Sequence, residues 1–146
     1  HTHKPLFSMS SGVTPNDDCV KAYQEIKTGH KHQYVTFKIE GSAVIVEKKA
    51  PVGTSYDEFV ADLTKEEDRY AVYDFPYKGP DGGARNKLVF IVWAPDIAKI
   101  KNKMLYASSK DAFKKVLVGI GTEIQATDAA EIDADSVLEK INRFAR

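Results

Sequence analysis

Few residues in this 146-residue chain are of a type and spacing that could make or break a covalent bond. His30 and His32 stand two apart in what reads as a turn, with no Cys, Asp or Glu at metal-ligand spacing, and such pairs are ordinarily just solvated. Cys19 has no basic neighbour that would activate its thiol, and no Gly-x-Ser-x-Gly elbow surrounds any serine. No glycine-rich phosphate loop follows a strand-like run. The acidic pairs Asp17–Asp18 and Glu66–Glu67 are explained by a helix start and by solvation. We therefore expect no enzyme, no metal and no cofactor. What remains is non-covalent chemistry, concentrated in the stretch DIAKIKNKMLYASSKDAFKKVLV from Asp96 to Val118.

At ~100° per residue that stretch is a helix with two characters. Leu105, Tyr106, Ser109, Ala112, Phe113, Val116 and Leu117 collect on one side, the stripe that packs on a sheet. Ile97, Ile100 and Met104 fall on the opposite side, with Lys101, Lys103, Lys114 and Lys115 around them. Apolar residues ringed by cations resemble the centre and rim of a protein interface. Periodicity alone also admits ordinary surface apolar residues on a solvated lysine face, or phosphate contacts to nucleic acid. Against nucleic acid, the outer face lacks a stacking platform, because Tyr106 and Phe113 belong to the inner side.

The elements that must hold this helix follow from local signals. Thr14 with Pro15, or else Asn16, can cap a helix over 16–27 whose stripe is Cys19, Val20, Tyr23 and Ile26, with Gly29 ending it. Gln33 to Ile39 and Ala43 to Lys49 read as a hairpin. Ser55 caps a short helix in which Tyr56, Phe59, Val60 and Leu63 share a face. Arg69 to Phe75 and Lys87 to Trp93 form a second strand pair, and the continuously apolar VFIVW is expected in the middle of the sheet. Between them, Pro76 to Asn86 reads as an exposed tip with Arg85 and Lys87 at its base. Asp96 is expected to cap the long helix and Gly119 with Gly121 to end it. A short edge strand over 123–126, a polar turn over 127–132 and a helix capped by Asp135 complete the chain. The expected class is α+β, a mixed central β-sheet flanked by helices on both faces.

Composition sets the outer bounds. At 42% apolar residues the chain can bury one core, and 21 basic against 21 acidic residues leave no net field, so charge acts only through local clusters. A single cysteine forms no internal disulfide and suits a buried thiol in a reducing, intracellular setting. No apolar run approaches ~18 residues and no signal-peptide pattern precedes the domain. Residues 1–8, HTHKPLFS, are expected to be a vector-derived leader, and 9–146 one domain starting at Met9.

Taken together, WAPD at 93–96, KMLYASSKDAFKK at 103–115 and EIQATD at 123–128 resemble the actin-depolymerising factor/cofilin family. SGV at 11–13, DDCV at 17–20, YVTFKI at 34–39, RYAVYDF at 69–75 and SVLEKINR at 136–143 extend the resemblance from Met9 to the C-terminus. It implies an actin-depolymerising-factor homology domain, cytoplasmic and cytoskeletal, that binds ADP-actin monomers and filament sides, severs and depolymerises filaments, and catalyses no covalent step. The alternative is a monomer-binding, phosphoinositide-regulated module with weak or no severing. The resemblance places monomer binding on Ser11, Gly12, Val13, Ile100, Lys101, Lys103, Met104, Lys110, Asp111 and Lys114. It places filament binding on Arg85, Lys87, Glu139, Lys140 and Arg143, and inhibitory phosphorylation on Ser11, with Ser10 as substitute. Implied partners are actin, phosphoinositide lipids competing with it through Lys101, Lys103, Lys110, Lys114 and Lys115, a regulatory kinase and other actin-turnover factors. The protein is expected to be monomeric and to bind no nucleic acid. Three departures stand out: a short loop before Arg85, Lys101 where some relatives carry arginine, and no lysine-rich nuclear-import run.

Overall fold

The computed structural model describes residues 12–144. Their strands are β1 (Thr14–Pro15), β2 (His32–Glu40), β3 (Ala43–Pro51), β4 (Arg69–Lys78), β5 (Ala84–Trp93) and β6 (Thr122–Ala126). The α-helices are α1 (Asp17–Lys27), α2 (Tyr56–Leu63), α3 (Ile100–Lys115) and α4 (Ala134–Phe144), with a 3-10 turn at Ala129–Ile132. The sheet order is β1-β3-β2-β4-β5-β6, antiparallel through β3-β2-β4-β5 and parallel at both edges. This is the expected mixed sheet, but VFIVW lies one strand in from the edge. Its neighbour β6 is short, and β2 and β4 occupy the centre.

Side-chain alternation along the strands divides the interior into two cores. Val35, Phe37, Tyr70, Val72, Phe90 and Val92 meet α1 and α3, whereas Tyr34, Ala71, Tyr73, Val89, Ile91 and Trp93 meet α2 and α4. On the first side Phe113 stacks on Tyr70 with centroids 5.0 Å apart and meets Phe37 edge-on at 4.9 Å. On the second, Tyr34 stacks on Tyr73 at 5.8 Å, and Phe59 packs against both. Cys19 is buried and its thiol donates to the Val44 carbonyl at 3.2 Å, while burial pushes its pKa up to about 11. At neutral pH it is an inert thiol.

Several element ends differ from expectation. Asn16 caps α1, its side chain accepting the Asp18 N–H at 2.8 Å, because Thr14 and Pro15 are taken into the sheet beside β3. Asp96 does not cap α3. The Pro95 carbonyl binds the Ala98 N–H at 3.0 Å in a tight turn, so helical geometry begins only after Lys99. At the other end α3 stops at Lys115, and Gly119 turns the chain at φ 88°, a conformation glycine adopts without strain. Asp133, not Asp135, caps α4, its side chain accepting the Ser136 N–H at 2.7 Å. Within the polar segment 127–132, Ala129–Ile132 form a 3-10 turn that buries Ile132. The β4–β5 ladder continues to Lys78 and Ala84, so the tip is shorter than its Pro and Gly content suggested. His32 belongs to β2 rather than a turn, and its Nε2 lies 2.8 Å from Glu25. The expected leader, residues 1–8, lies outside the described residues.

Beneath the first turns of α3, Arg69 is held by Glu47 at 3.1 Å and Glu67 at 3.3 Å, and donates to the Asp68 carbonyl at 2.7 Å. Glu47 can reach inward because the β2–β3 register shifts between Thr36 and Phe37, leaving it as a bulge. The Asp68 side chain is fully buried, and neither carboxylate oxygen has a hydrogen-bond partner among the described residues. Burial raises its pKa, against the opposing influence of Lys103 and Arg69. Between the unfolded and the folded pKa the folded state therefore binds more of this proton than the unfolded chain does. The stability this confers is present below the ordinary carboxylate range and lost as pH rises through the folded pKa. Asp68→Asn should raise the melting temperature at neutral pH by about 3–6 °C, the effect of removing an unpaired buried charge worth ~1–2 kcal/mol. The two melting curves should converge toward about pH 4. A pH-independent difference in calorimetry would mean that Asp68 does not carry this linkage.

Candidate functional site

The inner side of α3 is fixed by Tyr106, Ser109 and Phe113, all buried, and by Leu117 just beyond its end. Two hydroxyls lock its position along the sheet: Tyr106 Oη accepts the Ile39 N–H at 2.8 Å, and Tyr70 Oη donates to the Tyr106 carbonyl. Leu105, Ala112 and Val116 lie half-buried at the border. This is the stripe periodicity indicated. Because these contacts set the helix's rotation, the opposite face is presented in one orientation.

That outer face exposes Ile97 at 71%, Ile100 at 74% and Met104 at 66%, three of the six large exposed apolar side chains among the described residues. Ile97 sits in the turn before α3 rather than on it, yet remains beside the helix start. Lys99 occupies the cap position without a side-chain acceptor, and the first turn of α3 carries no acidic residue, so nothing offsets the positive end of the helix dipole there. Lys101 is exposed with no ion pair among the described residues, and Lys103 has only a 3.7 Å contact with the well-exposed Asp96. The apolar trio is therefore surrounded by available cations.

Farther along, the face is less basic than its sequence. Lys110 and Lys114 both bind Glu123 on β6, at 2.9 Å and 2.7 Å. Burial alone would raise the Glu123 pKa, but these two ammonium groups hold it below the usual carboxylate range. Asp111 and Lys115 are exposed. Glu123 escaped the sequence reading, although strand alternation with Ile124 and Ala126, which point to the α2/α4 core, would have turned it toward α3.

The N-terminal segment meets the same region, since α3 packs against β1. Gly12 adopts φ 86°, and the Val13 side chain is buried in the α1/α3 core, so Val13 anchors the segment rather than presenting a contact surface. Ser10 and Ser11 lie outside the described residues.

The second set of expected residues is on the other side. Arg85 and Lys87 continue the odd-numbered register of β5 whose members Val89, Ile91 and Trp93 face α2 and α4. Arg85 is half-exposed and 3.3 Å from Asp81. On α4, Glu139 and Arg143 pair at 2.9 Å on the exposed side, and Lys140 is half-buried. Lys101, Lys103, Lys110, Asp111 and Lys114 thus lie on α3, on the opposite side of the sheet from α4, which carries Glu139, Lys140 and Arg143. His30 lies 3.3 Å from Asp74, and the described residues contain no His/Cys/Asp/Glu group able to hold a metal ion. No described helix is long and apolar enough to cross a membrane.

Comparison with known proteins places this architecture. Residues 12–142 match the family model described as cofilin/tropomyosin-type actin-binding protein. The chain is 49% identical over 135 residues to actophorin of Acanthamoeba castellanii, covering 91% of this chain and 97% of that one. The crystal structure of a cofilin from Streptomyces griseoflavus superposes with a TM-score of 0.84 at 48% identity, over 90% of this chain and 98% of the other. Actin depolymerization factor 2 of Plasmodium berghei superposes at 0.81 with 31% identity, over 92% and 99%. With the match running through every described strand and all but the last two residues of α4, the chain belongs to the actin-depolymerising factor/cofilin family of actin-binding proteins.

Proposed function

We propose that this protein binds actin monomers and filament sides and drives filament turnover by severing and depolymerisation, acting as a monomer in the cytoplasm and cytoskeleton without covalent catalysis. The observation that carries the reading is the exposed trio Ile97, Ile100 and Met104 beside the uncapped, cation-ringed start of a rigidly held helix. Burying these side chains against a partner supplies the apolar centre of an interface, and Lys101 with Lys103 supplies a rim for an acidic surface. Gly12 and the residues before it, including Ser11, reach the same partner, with Val13 as their anchor. Lys110, Asp111 and Lys114 extend the monomer contact along α3.

Filament binding engages a second neighbour through Arg85 and Lys87 on the hairpin arm with Glu139, Lys140 and Arg143 on α4. Two charged surfaces on opposite sheet faces suit a protein that bridges adjacent subunits, which favours severing over simple monomer sequestration. Anionic phosphoinositide headgroups compete for the lysines of α3. A kinase acting on Ser11, or on Ser10, switches actin binding off by adding roughly −1.5 to −2 charges to the contacting segment.

Replacing both Lys101 and Lys103 with alanine should lower the free energy of unfolding by no more than about 1 kcal/mol, since Lys101 is exposed and Lys103 acts on the buried Asp68 without a hydrogen bond to it. Binding to ADP-actin monomers and to filaments should weaken by about 2 kcal/mol or more. Unchanged affinity in a monomer titration would exclude this face. Charge reversal at Arg85 and Lys87 should leave monomer affinity intact while reducing filament co-sedimentation and the severing rate seen by single-filament imaging. Equal losses in both assays, with an unchanged melting curve, would point to one shared surface. For the switch, Ser11→Glu should melt like the parent yet bind actin more weakly, whereas Ser11→Ala should bind normally. Full actin binding by protein phosphorylated at that serine would eliminate it.

A further inference from the structure

Two of the five lysines on the α3 face share one half-buried counter-ion, and a third, Lys103, has only its 3.7 Å contact with the exposed Asp96. Lys110 and Lys114 stand four residues apart, hence on the same side of the helix, and each binds a different oxygen of the Glu123 carboxylate. The cluster is sheltered, with side-chain exposures of 22%, 39% and 20% for Lys110, Lys114 and Glu123. Gln125 donates to the same carboxylate at 3.3 Å, and pairing of Glu123 with Phe90 on β5 fixes the strand beneath. These two ammonium groups converge on one anionic group, the arrangement a phosphate oxygen pair would need. Lys101 and Lys115 have no internal counter-ion among the described residues.

We infer that Glu123 is a specificity-determining residue of this face: it occupies internally the place where a phosphoinositide headgroup would be gripped, and so biases the face toward actin and away from an anionic membrane. The inference rests on the lipid competition proposed above and adds the group that limits it. Actin docks on the apolar trio with Lys101 and Lys103, and its contact with Lys110 and Lys114 runs along the helix surface while both ammonium groups stay paired with Glu123. A multiply phosphorylated headgroup can engage Lys110 and Lys114 only by displacing the carboxylate, and must then leave Glu123 half-buried and unpaired beside its own phosphates. Attraction to the bilayer is correspondingly weaker than five free lysines would give.

The test compares the parent chain with Glu123→Gln, which keeps the side chain's shape and removes its charge. Binding is measured by co-sedimentation with phosphatidylcholine vesicles carrying a few per cent phosphatidylinositol bisphosphate, over a range of salt concentrations. The variant should bind about fivefold more tightly, the effect of one charge near an anionic surface, with a steeper salt dependence. The gain should disappear when Lys110 and Lys114 are both replaced by glutamine, which separates release of these lysines from a general change in charge. Equal vesicle affinity in parent and variant would overturn the role of Glu123 and leave the lipid reading standing. Absence of binding by both would reject both. A gain seen only with soluble inositol trisphosphate would overturn the assignment to a membrane surface. A melting curve run on each variant identifies any that bind poorly because they unfold, and Glu123→Asp, which retains the charge, should bind vesicles like the parent, whereas a gain equal to that of Glu123→Gln would overturn the role of the carboxylate charge.

Discussion

The contact between Phe113 and Tyr70 is the constraint on which the rest depends. Their rings lie 16° from parallel, Phe37 and Phe90 close around Phe113, and Tyr106 packs on Tyr70 at 5.1 Å. Aromatic pairs of this kind add ~0.5–1.5 kcal/mol each beyond the area they bury. Here they do more than stabilise, because α3 has apolar residues on two sides and could in principle pack on either. The ring cluster and the two tyrosine hydroxyl bonds commit one side to the sheet. Ile97, Ile100 and Met104 are left outside as a consequence, and they are tolerated there because they are few and ringed by charge.

Electrostatics then shapes what that exposed face can bind. With formal charge balanced over the chain, attraction to an acidic partner must come from short-range asymmetry. The start of α3 has it: no acidic residue in the first turn, no side-chain cap, and Lys101 unpaired among the described residues. The end of the helix does not, because Glu123 reaches across from β6 to Lys110 and Lys114. The face is graded, open at its N-terminal end and internally neutralised toward its C-terminal end.

Most of the fold could be read from the chain because its two periodicities are clean. VFIVW reads as a strand covered on both sides, although it lies one strand in from the edge and not at the centre, and the spacing of Tyr106, Ser109 and Phe113 reads as a helix stripe. What escaped was decided by competition between neighbouring capping groups and by contacts distant in sequence. Asp96 has the chemistry of a helix cap, but the turn closed by Pro95 and Ala98 comes first. Asp133 outcompetes Asp135 through a single hydrogen bond, and two residues of sliding are beyond local pattern. The apolar trio and the hairpin cations stood out because they break pattern on an otherwise polar surface. The Glu123 cluster and the buried Asp68 did not, since an isolated acid in a strand or loop looks solvated until its neighbours are known.

The central claim is that actin docks on the face of α3 that the aromatic core turns outward. The most direct measurement is methyl NMR of the chain labelled at isoleucine and methionine, titrated with ADP-actin monomers. The account predicts that the resonances of Ile97, Ile100 and Met104 shift or broaden as binding saturates, while those of Ile132 and Ile141, buried in the α2/α4 core, hold their positions. Saturable binding that left Ile97, Ile100 and Met104 unmoved would contradict it.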